Sequence, residues 1–594
     1  MTNPLNYPFD PHTLLRKKKA IRRELLQRSD LLEKRIAILG GSTTAEIKDI
    51  LELFLLLGGI RPVFYESEYN RYYEDIMFSN KALEQFAPEI VYIHTSSVNI
   101  MRFPSMQDSD ADVDMLLTAE VDRYQALWDR ITTAYSCPII QNNFELPHYR
   151  GLGNLDSYDI HGRTAFITEL NLLFSEQARQ RQNLYLNDIN YLSAWFGLER
   201  WYDKLFWYSY KYAMSYEAIP LLADSIASII KAIYGKTKKC LVLDLDNTLW
   251  GGVIGDDGLT GIRIGKETPD AEAYSAFQQY VKGLKERGII LAVCSKNDET
   301  NAREGFTHPD SILSLKDFSA FRANWEPKHE NIRDIARALN IGIDSLVFVD
   351  DNPAEREIVR AQVPQVAVPE LGSNVAKYID ILDKTDYFET VSLSKDDLMR
   401  NAFYADNAAR EGLQSRFDNY DDFLSSLQMV AEIRPFTPIY LDRITQLTNK
   451  TNQFNLTTKR YTFTEMESIA GADHYITLYG RLLDKFGDNG LVSIIIGDVR
   501  DSELHIDLWL MSCRVLKRGM EAAMLDQLVA EAQARKVSAL SGYYYPTAKN
   551  CMVSGFFKEM GFQHVVTKAN NDSIWRLEIS AGYTNKSQFI EVKK

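Results

Sequence analysis

An apolar run that ends in two carboxylates constrains this chain more than any other feature. Residues 238–258 read KKCLVLDLDNTLWGGVIGDDG, so Cys240–Leu243 opens directly onto Asp244 and Asp246, then onto a loop crowded with Gly and Asp. A short apolar stretch of this kind reads as a buried strand. Its end gains nothing from two desolvated anions unless a cation or a reaction compensates them. A bound divalent metal is the compensation the pattern predicts.

The surrounding residues repeat the theme. Apolar strands CLVLDLD, GIILAVCS, SLVFVDD and QVAVPEL alternate with helical patterns such as DAEAYSAFQQYVKGLKERG and KHENIRDIARALN. That alternation predicts a parallel sheet with helices on its faces over residues 236–380. Ligands of open parallel sheets bind beyond the carboxyl ends of the strands, where Asp244, Ser295 and Asp350 all fall. Asp244 is placed as a nucleophile toward phosphorus. Asp246, two residues on, is placed as the acid that protonates the leaving oxygen and the base that then activates water. Ser295 hydrogen-bonds a phosphoryl oxygen, Lys328 at a helix start neutralises the developing charge, and Thr248 and Asn297 complete the phosphate contacts. Asp350 and Asp351 join Asp244 and Asp246 as oxygen ligands for magnesium, which prefers carboxylate and water.

A chain of 594 residues exceeds one core and is expected to divide at roughly 100–200 residues per domain. Residues 1–235 alternate KRIAILGGST, AEIKDILELFLLLGG, RPVFYES and PEIVYIHTS, again a parallel α/β pattern, then run into long aromatic helical stretches that read as packing surface. Residues 381–431 form a helical connector. From 432 to 594, HYITLYGRLLD, NGLVSIIIGDVRD and ELHIDLWLMSCR read as antiparallel strands beside a long helix, an α+β arrangement. A net charge of −14 argues against a nucleic-acid footprint. The sequence shows neither a membrane-length apolar run nor a secretory apolar core, so the expectation is a cytoplasmic protein without a membrane partner. Five cysteines without a Cys-x-x-Cys pair suggest no disulfide framework or zinc site.

The four motifs, LVLDLDNTLWGGVIGDDG, LAVCSKND, NWEPKHENI and VFVDDNPAERE, resemble the haloacid dehalogenase superfamily and, more closely, its FkbH-like subgroup. The flanking stretches QNNFE (141–145), LTNKTNQFNLTTKRYT (447–462), DKFGDNGLVSIIIG (484–497), LMSCRVLKRGME (510–521) and YYPTAKNCMV (544–553) are similar to the same subgroup. The resemblance implies an α/β protein of three domains: an SGNH-hydrolase-like domain, a Rossmann-like phosphatase core and an acetyltransferase-like (GNAT) domain. It implies an enzyme that takes a phosphorylated three-carbon acid derived from 1,3-bisphosphoglycerate, removes phosphate and loads the acyl group on a separate acyl carrier protein. A stand-alone metabolite phosphatase and a non-catalytic scaffold are the alternatives.

Two departures bear on the outer domains. Ser42 sits where an SGNH hydrolase keeps its serine, yet no Asp-x-x-His follows and His148 and His161 lie elsewhere, so Ser42 is expected to cap a helix or contact an anion. In Arg514–Gly519, Lys517 replaces the first glycine of the acetyltransferase phosphate loop, which questions coenzyme A binding and favours a carrier as acceptor. Cys513, beside Arg514 and near Lys517 and Gly519, is the candidate acyl thiol, since cations favour thiolate. Cys294, on an apolar strand, is the weaker one.

Overall fold

The computed structural model describes residues 4–28, 31–414, 416–547, 549–579 and 582–593. The chain forms two compact units, Met1–Lys236 with Thr462–Glu465, and Thr237–Tyr461 with Met466–Lys594.

The first unit is built on five parallel strands: β1 (Leu32–Gly40), β2 (Ile60–Glu66), β3 (Ile90–His94), β4 (Ile139–Asn142) and β5 (Leu184–Asn187), in the order β2-β1-β3-β4-β5. Strand order reverses between β1 and β3, so the loops that follow them, residues 41–44 and 95–99, flank the switch point of the sheet. The helix Ala45–Leu57 buries Ile47, Ile50, Leu51 and Phe54 and stops at Gly58. Its N-cap is Thr44, without a side-chain cap bond, because the Thr44 hydroxyl donates instead to Glu66 at 2.6 Å. Ser42 is therefore no helix cap, contrary to the expectation. The aromatic stretch after β5 buries Trp201, Tyr212, Met214, Leu222 and Ile226, as its sequence suggests, but one short helix within it stays exposed. Gly197, at φ 101°, separates the helix Ile189–Phe196 from Leu198–Trp201, and Asp203 caps a further short helix, Lys204–Tyr210. On that short helix Leu205 and Tyr208 are 74% and 68% exposed.

The second unit holds two sheets. Four parallel strands, β6 (Cys240–Leu243), β7 (Ile290–Ser295), β8 (Ala320–Ala323) and β9 (Leu346–Val349), lie in the order β8-β7-β6-β9. Both faces are covered, which is why these strands read as unbroken apolar runs. Leu241, Leu243, Leu291, Val293, Val347 and Val349 pack with Phe277 and Val281 of the helix Pro269–Glu286. The alternate residues Cys240, Val242, Ala292, Cys294, Leu346 and Phe348 pack with Ile332 and Ile335 of the helix Lys328–Ala338. Each Val, Leu, Ile or Phe among them contributes about 1.5–3 kcal/mol on burial. The stretch QVAVPEL, expected as a strand, makes only an isolated bridge between Ala367 and Val347. Pro364 precedes it and Pro369 lies within it, and neither can donate to a ladder. The pairing that sequence did not suggest is β8, only four residues long.

After β9 the chain is helical at Tyr378–Lys384, Lys395–Leu398, Arg400–Gln414 and Tyr420–Ser426. The second sheet of this unit then contains β10 (Met429–Arg434), β11 (Phe454–Asn455), β12 (Tyr475–Asp484), β13 (Gly487–Arg500), β14 (Glu503–Met511), β15 (Ala539–Tyr544), β16 (Gln563–Thr567), β17 (Ser573–Glu578) and β18 (Ile590–Lys593). The expected antiparallel strands are β12, β13 and β14, paired in succession, with β15 added in parallel to β14. The helix Met520–Ala534 buries Ala523, Met524 and Leu528 in the core of this sheet. Among the described residues no helix is long and apolar enough to cross a membrane.

Candidate active site

The strand ends of β6, β7 and β9 and the start of the helix Lys328–Ala338 converge. Lys328 Nζ lies 2.6 Å from Asp350 Oδ2 and 2.9 Å from Asp244 Oδ2, and all three side chains are at least nine-tenths buried. A buried ammonium between two carboxylates is the arrangement in which each charge makes the others tolerable. Burial alone would lower the Lys328 pKa, but Asp244 and Asp350 outweigh it and hold the amine protonated. Burial, and then the neighbouring Asp244 charge, push Asp350 up to about 7 and raise Asp351 as well.

One buried oxygen of this cluster, Asp244 Oδ1, has no hydrogen-bond partner. Carboxylate oxygens of Asp244, Asp350 and Asp351 all lie within 4.8 Å of one another. An unpartnered buried anionic oxygen beside two more carboxylates suits a hard divalent cation. The Asp246 carboxylate stands outside that group because its oxygens are engaged. Oδ1 accepts from Trp250 Nε1 at 2.9 Å and from the Ile254 amide at 3.1 Å, and Oδ2 accepts from Asn297 Nδ2 at 3.0 Å. Burial raises the Asp246 pKa, and the bonds from Ile254 and Trp250 oppose it. A carboxyl held in one orientation with a raised pKa suits proton transfer.

The remaining expected residues divide into those that brace the site and those that stand apart. Thr248, fully buried, accepts from the Asp351 amide at 3.2 Å and so ties the turn after β6 to the end of β9. Asn247 takes φ 54° in that turn, and its side chain accepts from the Gly252 amide at 2.9 Å. Ser295 ends β7 and is buried. Asn297, expected as a phosphate contact, orients Asp246. Arg356 is a residue that the sequence pattern does not single out. It donates to the carbonyls of Asp350 and Asp351 at 2.8 and 2.7 Å and pairs with Glu370, pinning the acidic pair from behind. Its place in DDNPAER, one turn into a helix capped by Asn352, is the available signal.

Cys294 donates to the Lys328 carbonyl at 3.6 Å, on the face of β7 that packs with Ile332, and burial pushes its thiol up. Cys513 follows β14, and its carbonyl accepts from Asn340 Nδ2 at 2.6 Å. Here the expectation of a thiol lowered by cations fails: burial outweighs Lys239 and Arg514 and raises the Cys513 pKa. Lys517 is exposed and takes φ 63°, Gly519 takes φ 85°, and the Lys517 amide donates to Glu521 at 2.9 Å. The loop thus adopts a left-handed turn with a lysine where glycine is the easier residue.

In the first unit, Ser42 is 2% exposed and its hydroxyl has no partner. His148 stacks on Tyr202 with ring centroids 3.7 Å apart, and neither of its ring nitrogens has a hydrogen-bond partner. His161 pairs with Asp159 at 2.7 Å. Neither histidine bonds Ser42.

Residues 35–231 match the family model described as FkbH, N-terminal domain. A crystal structure of the N-terminal part of the protein BF1531 from Bacteroides fragilis, containing a phosphatase domain complexed with Mg, is 35% identical and aligns with a TM-score of 0.59. The match covers 63% of this chain and 99% of that one. The chain belongs to the FkbH-like family of haloacid dehalogenase-type phosphatases. A further likeness is to the ribosomal-protein-S18-alanine N-acetyltransferase from Escherichia coli, at 15% identity and a TM-score of 0.21, covering 26% of this chain and 99% of that one. No curated protein matches the sequence. Family membership agrees with the site, because the Asp244, Lys328 and Asp350 cluster sits at the strand ends of the phosphatase-type sheet.

Proposed function

We propose that this chain is a magnesium-dependent phosphatase coupled to acyl transfer. It takes a phosphorylated three-carbon acid such as 1,3-bisphosphoglycerate, removes phosphate and passes the glyceryl group to the thiol of a separate acyl carrier protein. The observation that carries the phosphatase part is the unpartnered Asp244 Oδ1, held beside Asp350 and Asp351 while Lys328 neutralises the other side. Magnesium, the ion complexed by the Bacteroides fragilis phosphatase domain, supplies charge stabilisation to a phosphoryl group when these three carboxylates hold it. Asp244 attacks phosphorus, and the bond from phosphorus to the ester oxygen breaks. Asp246 delivers its proton to the departing oxygen and then takes one from the water that hydrolyses the aspartyl phosphate. Lys328 stays protonated throughout and stabilises the negative charge.

The acyl half follows from the substrate's chemistry. An acyl phosphate is activated toward a thiolate: the carbon–sulfur bond forms as the carbon–oxygen bond to phosphate breaks. Cys513 is the acyl thiol within this chain, but its raised pKa also favours a second route, in which the carrier thiol attacks directly. The first unit is read as an SGNH-like domain without hydrolase activity, supported by the isolated Ser42, and the β10–β18 region as an acetyltransferase-like domain serving the carrier. A cytoplasmic location fits the soluble substrates.

The test is mass spectrometry of a carrier protein incubated with the enzyme, magnesium and 1,3-bisphosphoglycerate, with phosphate release followed in parallel. A glyceryl thioester on the carrier, formed by the wild type and lost in Cys513→Ala, supports the relay. A thioester that persists in Cys513→Ala assigns the direct route. Phosphate release with no adduct in either case contradicts the transfer reading and leaves a stand-alone phosphatase.

A further inference from the structure

A second concentration of charge in the same unit is not balanced. Lys239, just before β6, Arg400 of the connector helices, Arg443 and Lys450 of the helix Pro438–Lys450 and Arg514 of the loop after β14 lie close enough to act on one another electrostatically. Lys239 Nζ donates to the Lys450 carbonyl at 3.1 Å, and Lys450 Nζ lies 3.3 Å from Asp397 Oδ1. Arg400 also pairs with Asp397, while Arg443 Nε lies 2.9 Å from Asp396 Oδ2 and its Nη1 donates to Gln446. Arg514 Nε donates to Ser512 Oγ at 3.1 Å, and its guanidinium stacks over Phe403, 4.3 Å from the ring centroid.

Among the described residues, the carboxylates contacting these five cations are Asp396 and Asp397. Asp344, which also faces Lys239, is itself paired with Lys549. Five cations against two carboxylates leave the cluster as a whole with a surplus of three positive charges, and its paired members Arg443 and Lys450 are only 14% and 26% exposed. The electrostatics register the imbalance. Burial, with Arg400 and Arg443 working against Asp397, lowers Lys450 to about 8. Burial, then Arg443, lowers Arg514 to about 10. A net excess of positive charge in a largely buried cluster is costly, and guanidinium groups combined with an ammonium suit a multiply charged tetrahedral oxyanion better than a single carboxylate.

We propose that Lys239, Arg443, Lys450 and Arg514 form a binding site for the phosphate group of a phosphoester, distinct from the Asp244 centre. The distance between the two follows from one helix. Cys513, next to Arg514, is hydrogen-bonded to Asn340 just beyond the carboxyl end of the helix Lys328–Ala338, whose first residue is Lys328 in the active site. Eleven helical residues span about 16 Å at roughly 1.5 Å each. The phosphate bound here thus anchors an extended molecule rather than undergoing hydrolysis. It comes either from the phosphorylated arm of a carrier or from a free phosphorylated metabolite.

Isothermal titration of the full chain in phosphate-free buffer with 4′-phosphopantetheine, with pantetheine and with inorganic phosphate separates these. Binding of 4′-phosphopantetheine at least tenfold tighter than pantetheine, and weakened at least tenfold in both Lys450→Gln and Arg514→Gln, is the expected result and assigns the arm. Inorganic phosphate binding alone, weakened in the same variants, supports the site and assigns a free metabolite. Equal binding of pantetheine and its phosphate, affinities unchanged in both variants, or no binding of any probe overturns the proposal. Thermal melts of both variants check that each is folded before its affinities are compared. No turnover is measured, so failure of acyl transfer leaves this result intact.

Discussion

The carboxyl ends of β6, β7 and β9 and those of β1, β3 and β4 present polar side chains at comparable places in two parallel sheets, but with opposite electrostatics. In the second unit, Asp244, Asp350 and Lys328 form a buried, mutually compensating set with one oxygen left over. In the first, Ser42 has a neutral hydroxyl and no base. His94, Asn142 and Tyr92 form a buried network there instead, with the Tyr92 hydroxyl 2.8 Å from His94 Nδ1, and burial lowers His94 to about 4, keeping it neutral. The strand-end position offers a site, and the charges placed on it determine whether chemistry follows.

Asp244→Asn breaks the comparison most severely. The amide is nearly isosteric but is no anionic nucleophile, so phosphate release is expected to fall by more than about a thousandfold with the circular dichroism spectrum unchanged. Lys328→Met leaves Asp244 and Asp350 facing each other without their cation. A stability loss of about 3–5 kcal/mol, the range for breaking a buried ion pair, should appear in urea titrations without magnesium. A loss below about 1 kcal/mol, the surface-pair range, would show that the charges are not mutually dependent.

Trp250→Phe sharpens the assignment of Asp246. The indole N–H stabilises the ionised carboxylate, so its removal raises the Asp246 pKa further. The first step needs the protonated form, so kcat/KM falls as pH rises through that pKa. This limb is expected to move to higher pH in the variant; an unmoved limb argues that Asp246 is not the acid. Ser42→Ala is the smallest expected effect. It deletes a buried hydroxyl without a partner, so stability should hold or rise by about 1 kcal/mol, and phosphate release should stay within a few-fold of wild type. A large loss of phosphate release in a folded Ser42→Ala chain would mean that the first unit acts in the reaction.

Much of the candidate site is legible in the sequence because its signal is local: an apolar strand that runs into a carboxylate, as at Asp244 and Asp350, places a charge where only a cation or a reacting group can compensate it. What sequence could not supply are the contacts between distant segments. Asn297 and Trp250 fix Asp246, and Arg356 braces Asp350, through side-chain bonds that no spacing rule encodes. Cys513 illustrates the converse error. Its sequence neighbours Arg514 and Lys517 suggest a lowered thiol pKa, but Lys517 is exposed to solvent and burial of the sulfur dominates. In the same way QVAVPEL has the apolar pattern of a strand, while Pro364 before it and Pro369 within it leave it a single bridge.

The proposal that Asp244 is the covalent nucleophile is tested most directly by mass spectrometry of wild-type enzyme, quenched in acid during turnover of a phosphate ester with magnesium. The predicted result is one phosphoryl group on the peptide containing Asp244, absent from Asp244→Asn. A phosphoryl group on another residue, or steady turnover with no acyl phosphate trapped at Asp244 at any quench time, would contradict it.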